Sequence, residues 1–415
     1  MPGSEHTLSR RRLLEIAGLG TAAAFGACAL SATPFALTTS TPKLSPATLG
    51  PYQTGKLFLG SNAGTPAMPN PYTLRQMPQW AFADPTFNTL CSIQLGQLVP
   101  QGELPWTVQA AVYYPYKENV RDHRVPTPNP LGMSKGPYPV LLYAHGFRSP
   151  SCHVAVQTNE DFITIETMLR HVASWGCVCV APDLSWLPGI LFKNDPTVER
   201  DAFDLRAVVL ADYLTYLADV LNTPLFAKQL DFSRIILVGH STGAGGATHA
   251  GSIIGGFGHQ TSLSYGLIAP VAKPANTAVR NVLVLGGGQD TRQGADPLGA
   301  FTAGGTPKTL ATIPGANHFG YTDLCDASNA CEPYGVIDPN GAISRAQQQL
   351  AGAAYLTALL RYYALGDATA RPYLSGQQAV EGLESLSVQV QAQGFVTRPT
   401  PPVLPTTTHT PVIGP

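Results

Sequence analysis

Ser241 stands in Gly239-His240-Ser241-Thr242-Gly243, directly after the apolar run RIILV (234–238) and before a segment of small residues. A serine hydroxyl attacks a carbonyl only when a neighbouring base takes its proton. The pattern puts serine on a tight strand-to-helix turn, where larger flanking side chains would collide. Matches of this length also arise by chance in a chain with 41 glycines, so the base and its acid must be found independently.

Where serine occupies such a turn, the partners follow in the order Ser, then Asp or Glu, then His. After Ser241 the histidines are His249, His259, His318 and His409. His249 and His259 precede every candidate acid, and His409 lies in a Pro/Thr-rich tail. His318, in IPGANHFGYTD, is left as the base. Between Ser241 and His318 the acids are Asp290, at the end of NVLVLGGGQD, and Asp296, six residues on and the reserve choice. In the expected chemistry His318 takes the Ser241 proton and later returns it to the leaving group. Asp290 holds the productive tautomer. A tetrahedral oxyanion needs backbone donors, expected from the N–H groups of Thr242 and of Phe147, the latter in the loop after YPVLLYAHGF (138–147). His145 and His240 adjoin the site and are read as braces for their turns. Asp183, in VAPDLSW, comes before Ser241 in sequence and is read as a structural partner for a loop.

The elements that must carry these groups alternate. Strands are expected at 106–115, 138–147, 177–183, 234–240, 263–270, 281–288 and 308–315, with helices at 161–176, 201–222 and 344–365. Continuous apolar strands interleaved with helices imply a mostly parallel sheet covered on both faces. Such sheets place their sites at the carboxyl ends of the strands, where every motif above falls.

The HGF segment after a strand, the APD strand end, GHSTG, the Asp290 loop and GANHFGYTD together resemble the α/β-hydrolase superfamily over about residues 106–365. More narrowly they resemble bacterial secreted esterases of the dienelactone hydrolase, chlorophyllase and platelet-activating-factor acetylhydrolase kind. The resemblance implies an α/β-hydrolase fold and ester hydrolysis without a cofactor or metal. Dienelactone hydrolases use cysteine where this chain has Ser241, which favours ordinary esters. The implied partner is a small-molecule, lipid or polymeric ester. Amide cleavage by the same triad and an inactive binding scaffold are the alternatives. SWLPGILF (185–192), with Trp186 and Leu187, is read either as an acyl pocket or lid, or as simple packing.

The ends of the chain add a location. Arg10, Arg11 and Arg12 precede an uncharged Ala/Gly-rich segment from Ile16 to Pro42, resembling a twin-arginine export signal over residues 1–36. A single N-terminal anchor is the alternative, and Cys28 offers a weak lipidation site. Residues 37–80 read as a linker or surface-hugging arm, 81–395 as the catalytic domain and 396–415 as a flexible tail. A net charge of −1 with no long basic run excludes nucleic acid as an expected partner. Export would make disulfides feasible, and Cys325 and Cys331 in DLCDASNAC could close a small loop. Cys177 and Cys179 alternate onto one strand face and read as buried apolar groups, not as metal ligands.

Overall fold

The computed structural model describes residues 44–59, 110–116, 136–146, 164–184, part of 203–222, 226–255, 262–271, 279–291, 295–323 and 341–395. In chain order the strands are β1 Gln53–Leu59, β2 Ala110–Tyr116, β3 Tyr138–Ala144, β4 Val178–Pro182, β5 Leu230–His240, β6 Ser262–Ile268, β7 Val282–Gly287, β8 Lys308–Ile313 and β9 Gln389–Gln393. The helices that matter for the site are α1 Glu166–Ala173, α2 with described positions between 203 and 216, α3 Thr242–Gly255, α4 Pro297–Ala303 and α5 Arg345–Leu359.

The strands form one open sheet in the order β1-β2-β4-β3-β5-β6-β7-β8-β9. From β4 to β8 every neighbour is parallel; β1, β2 and β9 add antiparallel edges. Because side chains alternate along a strand, an all-apolar strand feeds two cores. Val140, Leu142, Val180, Leu237 and Val284 face one layer, where α2, α3 and α4 supply Leu210, Tyr213, Ala247 and Phe301. Leu141, Tyr143, Val238, Leu283 and Leu285 face the other, against Met168 and Leu169 of α1 and Ala354 and Tyr355 of α5. This is the α/β-hydrolase fold, with the mostly parallel sheet the sequence implies.

Cys177 and Cys179 lie in the second core as free, buried thiols. Burial first, and Cys177 alongside, pushes the Cys179 thiol up in pKa, so it stays neutral and apolar in character. No disulfide is formed among the described residues; Cys325 and Cys331 lie outside them, as does Cys28.

Four elements depart from the sequence reading. Residues 53–59, inside the stretch read as linker or arm, pair with β2 as an edge strand. Gln389–Gln393 closes the other edge with side chains alternating between exposed and half-buried, because an edge strand of glutamines needs little apolar surface. Helix α4 occupies what read as loop: Pro297 starts it and Asp296 caps it. The closing helix, expected through residue 365, is α-helical only to Leu359 and continues as a π-turn over Leu360–Ala364.

Candidate active site

The site is built from four neighbouring strand ends. β5 runs through His240, and the chain then turns abruptly into α3. Ser241, between them, has φ of 56°, a left-handed conformation that costs a non-glycine residue about 1–3 kcal/mol and recurs at functional turns. Its N–H donates to Ile268 O of β6 at 2.9 Å and its carbonyl accepts from Ala244 N at 3.1 Å, which fixes the bend. The two glycines are dictated by this geometry. A Cβ on Gly239 would strike the Gly243 carbonyl, and one on Gly243 would strike the Ala144 carbonyl of β3. Gly146, just past β3, sits so close that an added Cβ would lie 2.9 Å from Ser241 Cβ.

His318 arrives from the loop after β8 and is wholly buried. Its Nδ1 bonds Asp290 Oδ2 at 2.9 Å, and the Asp290 side chain is only 1% exposed. A carboxylate accepts, so Nδ1 carries the proton, and Nε2 of the neutral ring is left as a lone pair. Nε2 is buried and has no hydrogen-bond partner among the described residues. The nearby negative charge is felt by Tyr321: burial, and then Asp290, raises its phenol well above the ordinary tyrosine range. Asp290 owes its place to the end of β7, where its N–H returns to Gly287 O at 3.1 Å. A Cβ on Gly287 would lie 2.5 Å from Ala316 O, so the β7 and β8 loops pack backbone to backbone.

The loop bearing His318 is held from two more sides. His240 Nε2 donates to His318 O at 2.9 Å, and the two rings lie 4.9 Å apart. Since His240 directly precedes Ser241, this bond draws the His318 backbone against the serine turn. From α5, Gln348 grips Asn317 at both backbone groups. Its Oε1 accepts from Asn317 N at 3.1 Å and its Nε2 donates to Asn317 O at 2.8 Å. Asn317 Oδ1 in turn accepts from Gly320 N at 2.8 Å, closing the turn beyond His318. Sequence reading missed Gln348. The available signal was an amide within the apolar face of a helix, four residues after the Ser344 cap.

The remaining candidates have other employment. Asp296, the reserve acid, caps α4 by accepting from Gly299 N at 2.7 Å. His249 lies on α3 with its ring 5.9 Å from that of Phe203. His145 is a brace: Nε2 accepts from Leu184 N at 2.8 Å, so Nδ1 carries the proton and donates to Gly146 O at 2.9 Å. Asp183 Oδ1 lies 3.9 Å from the same Nε2. Thr242 is buried at the first position of α3. Phe147, Trp186 and Leu187 lie outside the described residues. Among the described residues no group of three or more His, Cys, Asp or Glu side chains could hold a metal ion, and no helix is long and apolar enough to cross a membrane.

An open parallel sheet, a left-handed serine at the end of its central strand and a buried Asp–His pair two loops away define a serine hydrolase of the α/β-hydrolase class. Residues 107–274 match the family model described as Chlorophyllase, a family of that superfamily. The matched segment runs from just before β2 to beyond β6, so it contains Ser241 but neither Asp290 nor His318. No curated protein matches the chain.

Proposed function

We propose that the protein is an exported carboxylic-ester hydrolase working through an acyl-enzyme, with Ser241 as nucleophile, His318 as general base and acid, and Asp290 as the group that orients and stabilises the imidazole. The observation that carries this reading is the Asp290–His318 bond at Nδ1 combined with a buried Nε2 that has no partner among the described residues. A proton acceptor is thereby held ready while its other nitrogen is committed.

The steps follow from the groups present. Ser241 Oγ bonds to the ester carbonyl carbon as its proton passes to His318 Nε2, and the carbonyl π pair becomes an oxyanion. The Thr242 N–H, the first of α3, receives that charge in this reading. The imidazolium then protonates the departing alkoxide as the carbon–oxygen bond breaks, leaving a serine ester. Water repeats the sequence: its proton goes to His318, its oxygen bonds to the acyl carbon, and the carboxylic acid leaves as Ser241 recovers its proton. The cycle balances with water alone, with no redox partner. Short or medium acyl esters are the proposed substrates, and the arginine-led N-terminus supports export.

The test is a rapid-mixing experiment with p-nitrophenyl acetate. A burst of about one p-nitrophenol per chain is expected, and Ser241→Ala should lower kcat by about 10⁶-fold. A matching p-nitroanilide should turn over far more slowly. Equal ester hydrolysis by wild type and Ser241→Ala would dispose of the assignment.

A further inference from the structure

We infer that the side-chain hydroxyl of Thr242 is a catalytic residue's donor in its own right, adding an O–H to the oxyanion hole beside the backbone N–H of the same residue. This rests on Ser241 being the nucleophile and extends that reading.

The first observation is an unmet hydrogen bond. Thr242 is 5% exposed, and its Oγ1 is buried with no partner among the described residues. A buried hydroxyl left unpaired costs about 1–3 kcal/mol, so an orphan of this kind calls for a reason. Helical threonines ordinarily bond a carbonyl one turn back. Thr248, six residues further along the same helix, does so, donating to Gly245 O at 2.8 Å. Thr242 has no turn behind it. It opens α3, and the carbonyls three and four residues back belong to Gly239 and Val238, within strand β5.

The second observation is direction. Side chains on a helix lean toward its N-terminus. At the first position nothing of the helix lies in that direction, so the Thr242 side chain projects off the end that faces the serine turn. Neighbouring α-carbons are about 3.8 Å apart. In the tetrahedral adduct the attacked carbon is bonded to Ser241 Oγ, which brings its oxyanion within reach of the next residue's groups. The first N–H groups of a helix have no intrahelical acceptor either. One residue thus presents two unspent donors where negative charge forms. A second buried orphan is His318 Nε2, on a ring 4.9 Å from that of His240, the residue before Ser241. The steric frame leaves little freedom: Gly243, next in sequence, is pressed on the Ala144 carbonyl, so α3 cannot swing its first turn aside.

The hydroxyl also explains a choice of residue type. Valine would fill the same volume without an unmet polar group, and so would suit a purely structural position better.

The decisive variant is Thr242→Val, which keeps the branched shape and deletes the donor. With p-nitrophenyl butyrate, kcat is expected to fall about 10²-fold with KM nearly unchanged, the pattern of an interaction made only in the transition state. Inhibition by phenylboronic acid, which forms a tetrahedral adduct on serine, should weaken in parallel. The melting temperature should hold or rise, since a buried unpaired hydroxyl has become a methyl. Thr242→Ser, which returns the donor, should recover most of the lost kcat. Unchanged kcat and boronate inhibition in Thr242→Val would overturn the inference, as would a loss that Thr242→Ser does not relieve. Ser241→Ala is assayed alongside. Hydrolysis surviving there refutes the nucleophile itself, whereas an inactive Ser241→Ala with an unimpaired Thr242→Val refutes only the part given to the hydroxyl.

Discussion

The two ends of the sheet are built on opposite principles. At the carboxyl ends of the strands, Ser241 is held in a left-handed conformation, and Thr242 Oγ1 and His318 Nε2 are buried without partners among the described residues. At the amino ends, an arm of residues 44–52 is fastened by one hydrogen bond after another. Arg361 Nη1 donates to Leu44 O at 2.8 Å, His171 Nε2 to Pro46 O at 2.8 Å, and Trp175 Nε1 to Thr48 O at 3.0 Å. Gly50 N donates to Ser174 Oγ at 2.8 Å and Tyr52 N to Ser174 O at 3.0 Å. The Arg361 guanidinium is held by Asp367 and Thr369 and stacks over the Trp175 ring. The polar groups that fasten the arm are spent on the fold. At the other end, Thr242 Oγ1 and His318 Nε2 stay unspent among the described residues, and the double core between the two ends bears the cost.

Substitutions at the two ends should therefore separate activity from stability. The largest effect is expected at the acid. Asp290→Asn leaves a side chain of the same shape but favours the wrong imidazole tautomer, and kcat should drop about 10⁴-fold with little change in melting temperature. A drop confined to KM would break the contrast.

Next come the residues that place His318 without touching a reactant. His240→Leu removes the bond to His318 O, and Gln348→Leu removes both bonds to Asn317. Misplacing a base by about 1 Å can cost about 10²-fold, so kcat should fall by up to that factor in each. Gln supplies an N–H donor of similar reach, so His240→Gln should recover much of the loss. A failure of Gln to do better than Leu would mean that the 240 side chain acts through bulk alone.

At the opposite end Arg361→Ala should leave kcat unchanged while lowering stability by about 2 kcal/mol, read as a shifted urea midpoint. Several hydrogen bonds go at once, but Asp367 is a third exposed and is partly compensated by water. The smallest effect is a pH dependence. Burial first depresses the His171 pKa, against the raising effect of the bond to Pro46 O. The folded state thus prefers the neutral ring, and below the unfolded histidine value of about 6.5 the unfolded chain binds more protons. The stability His171 contributes is present above that value and is lost as pH falls through the lower folded value. His171→Asn should flatten this slope between about pH 7 and pH 5, as urea titrations at each pH would reveal.

How much could be read without coordinates follows the same division. The parallel strands were legible because each is a continuous apolar run, and the order of Ser241, Asp290 and His318 narrowed the partners by elimination. Asp296 could not be dismissed from sequence, because an acid before Pro-Leu-Gly reads equally as a loop group or a helix cap until the bond to Gly299 is seen. The edges escaped for a physical reason: QVQAQ alternates exposed and half-buried side chains, and QTGKLFL opens on polar residues and a glycine, so neither carries a clear apolar alternation. Gln348 escaped because a helix face is read for apolar spacing, and an amide serving another loop's backbone leaves no periodic trace. Consecutive glutamines do three separate jobs: Gln347 completes the Ser344 capping box, Gln348 holds Asn317, and Gln349 donates to Asp323 Oδ1 at 2.9 Å.

Whether the Asp290–His318 pair makes Ser241 reactive is best decided by covalent labelling. The folded protein is treated with a fluorophosphonate, and the adduct is located by peptide mass spectrometry in wild type, Asp290→Asn and His318→Gln. A single adduct on Ser241, formed orders of magnitude more slowly in both variants, is the expected result. An adduct on another residue, or equal labelling rates in all three proteins, would contradict it.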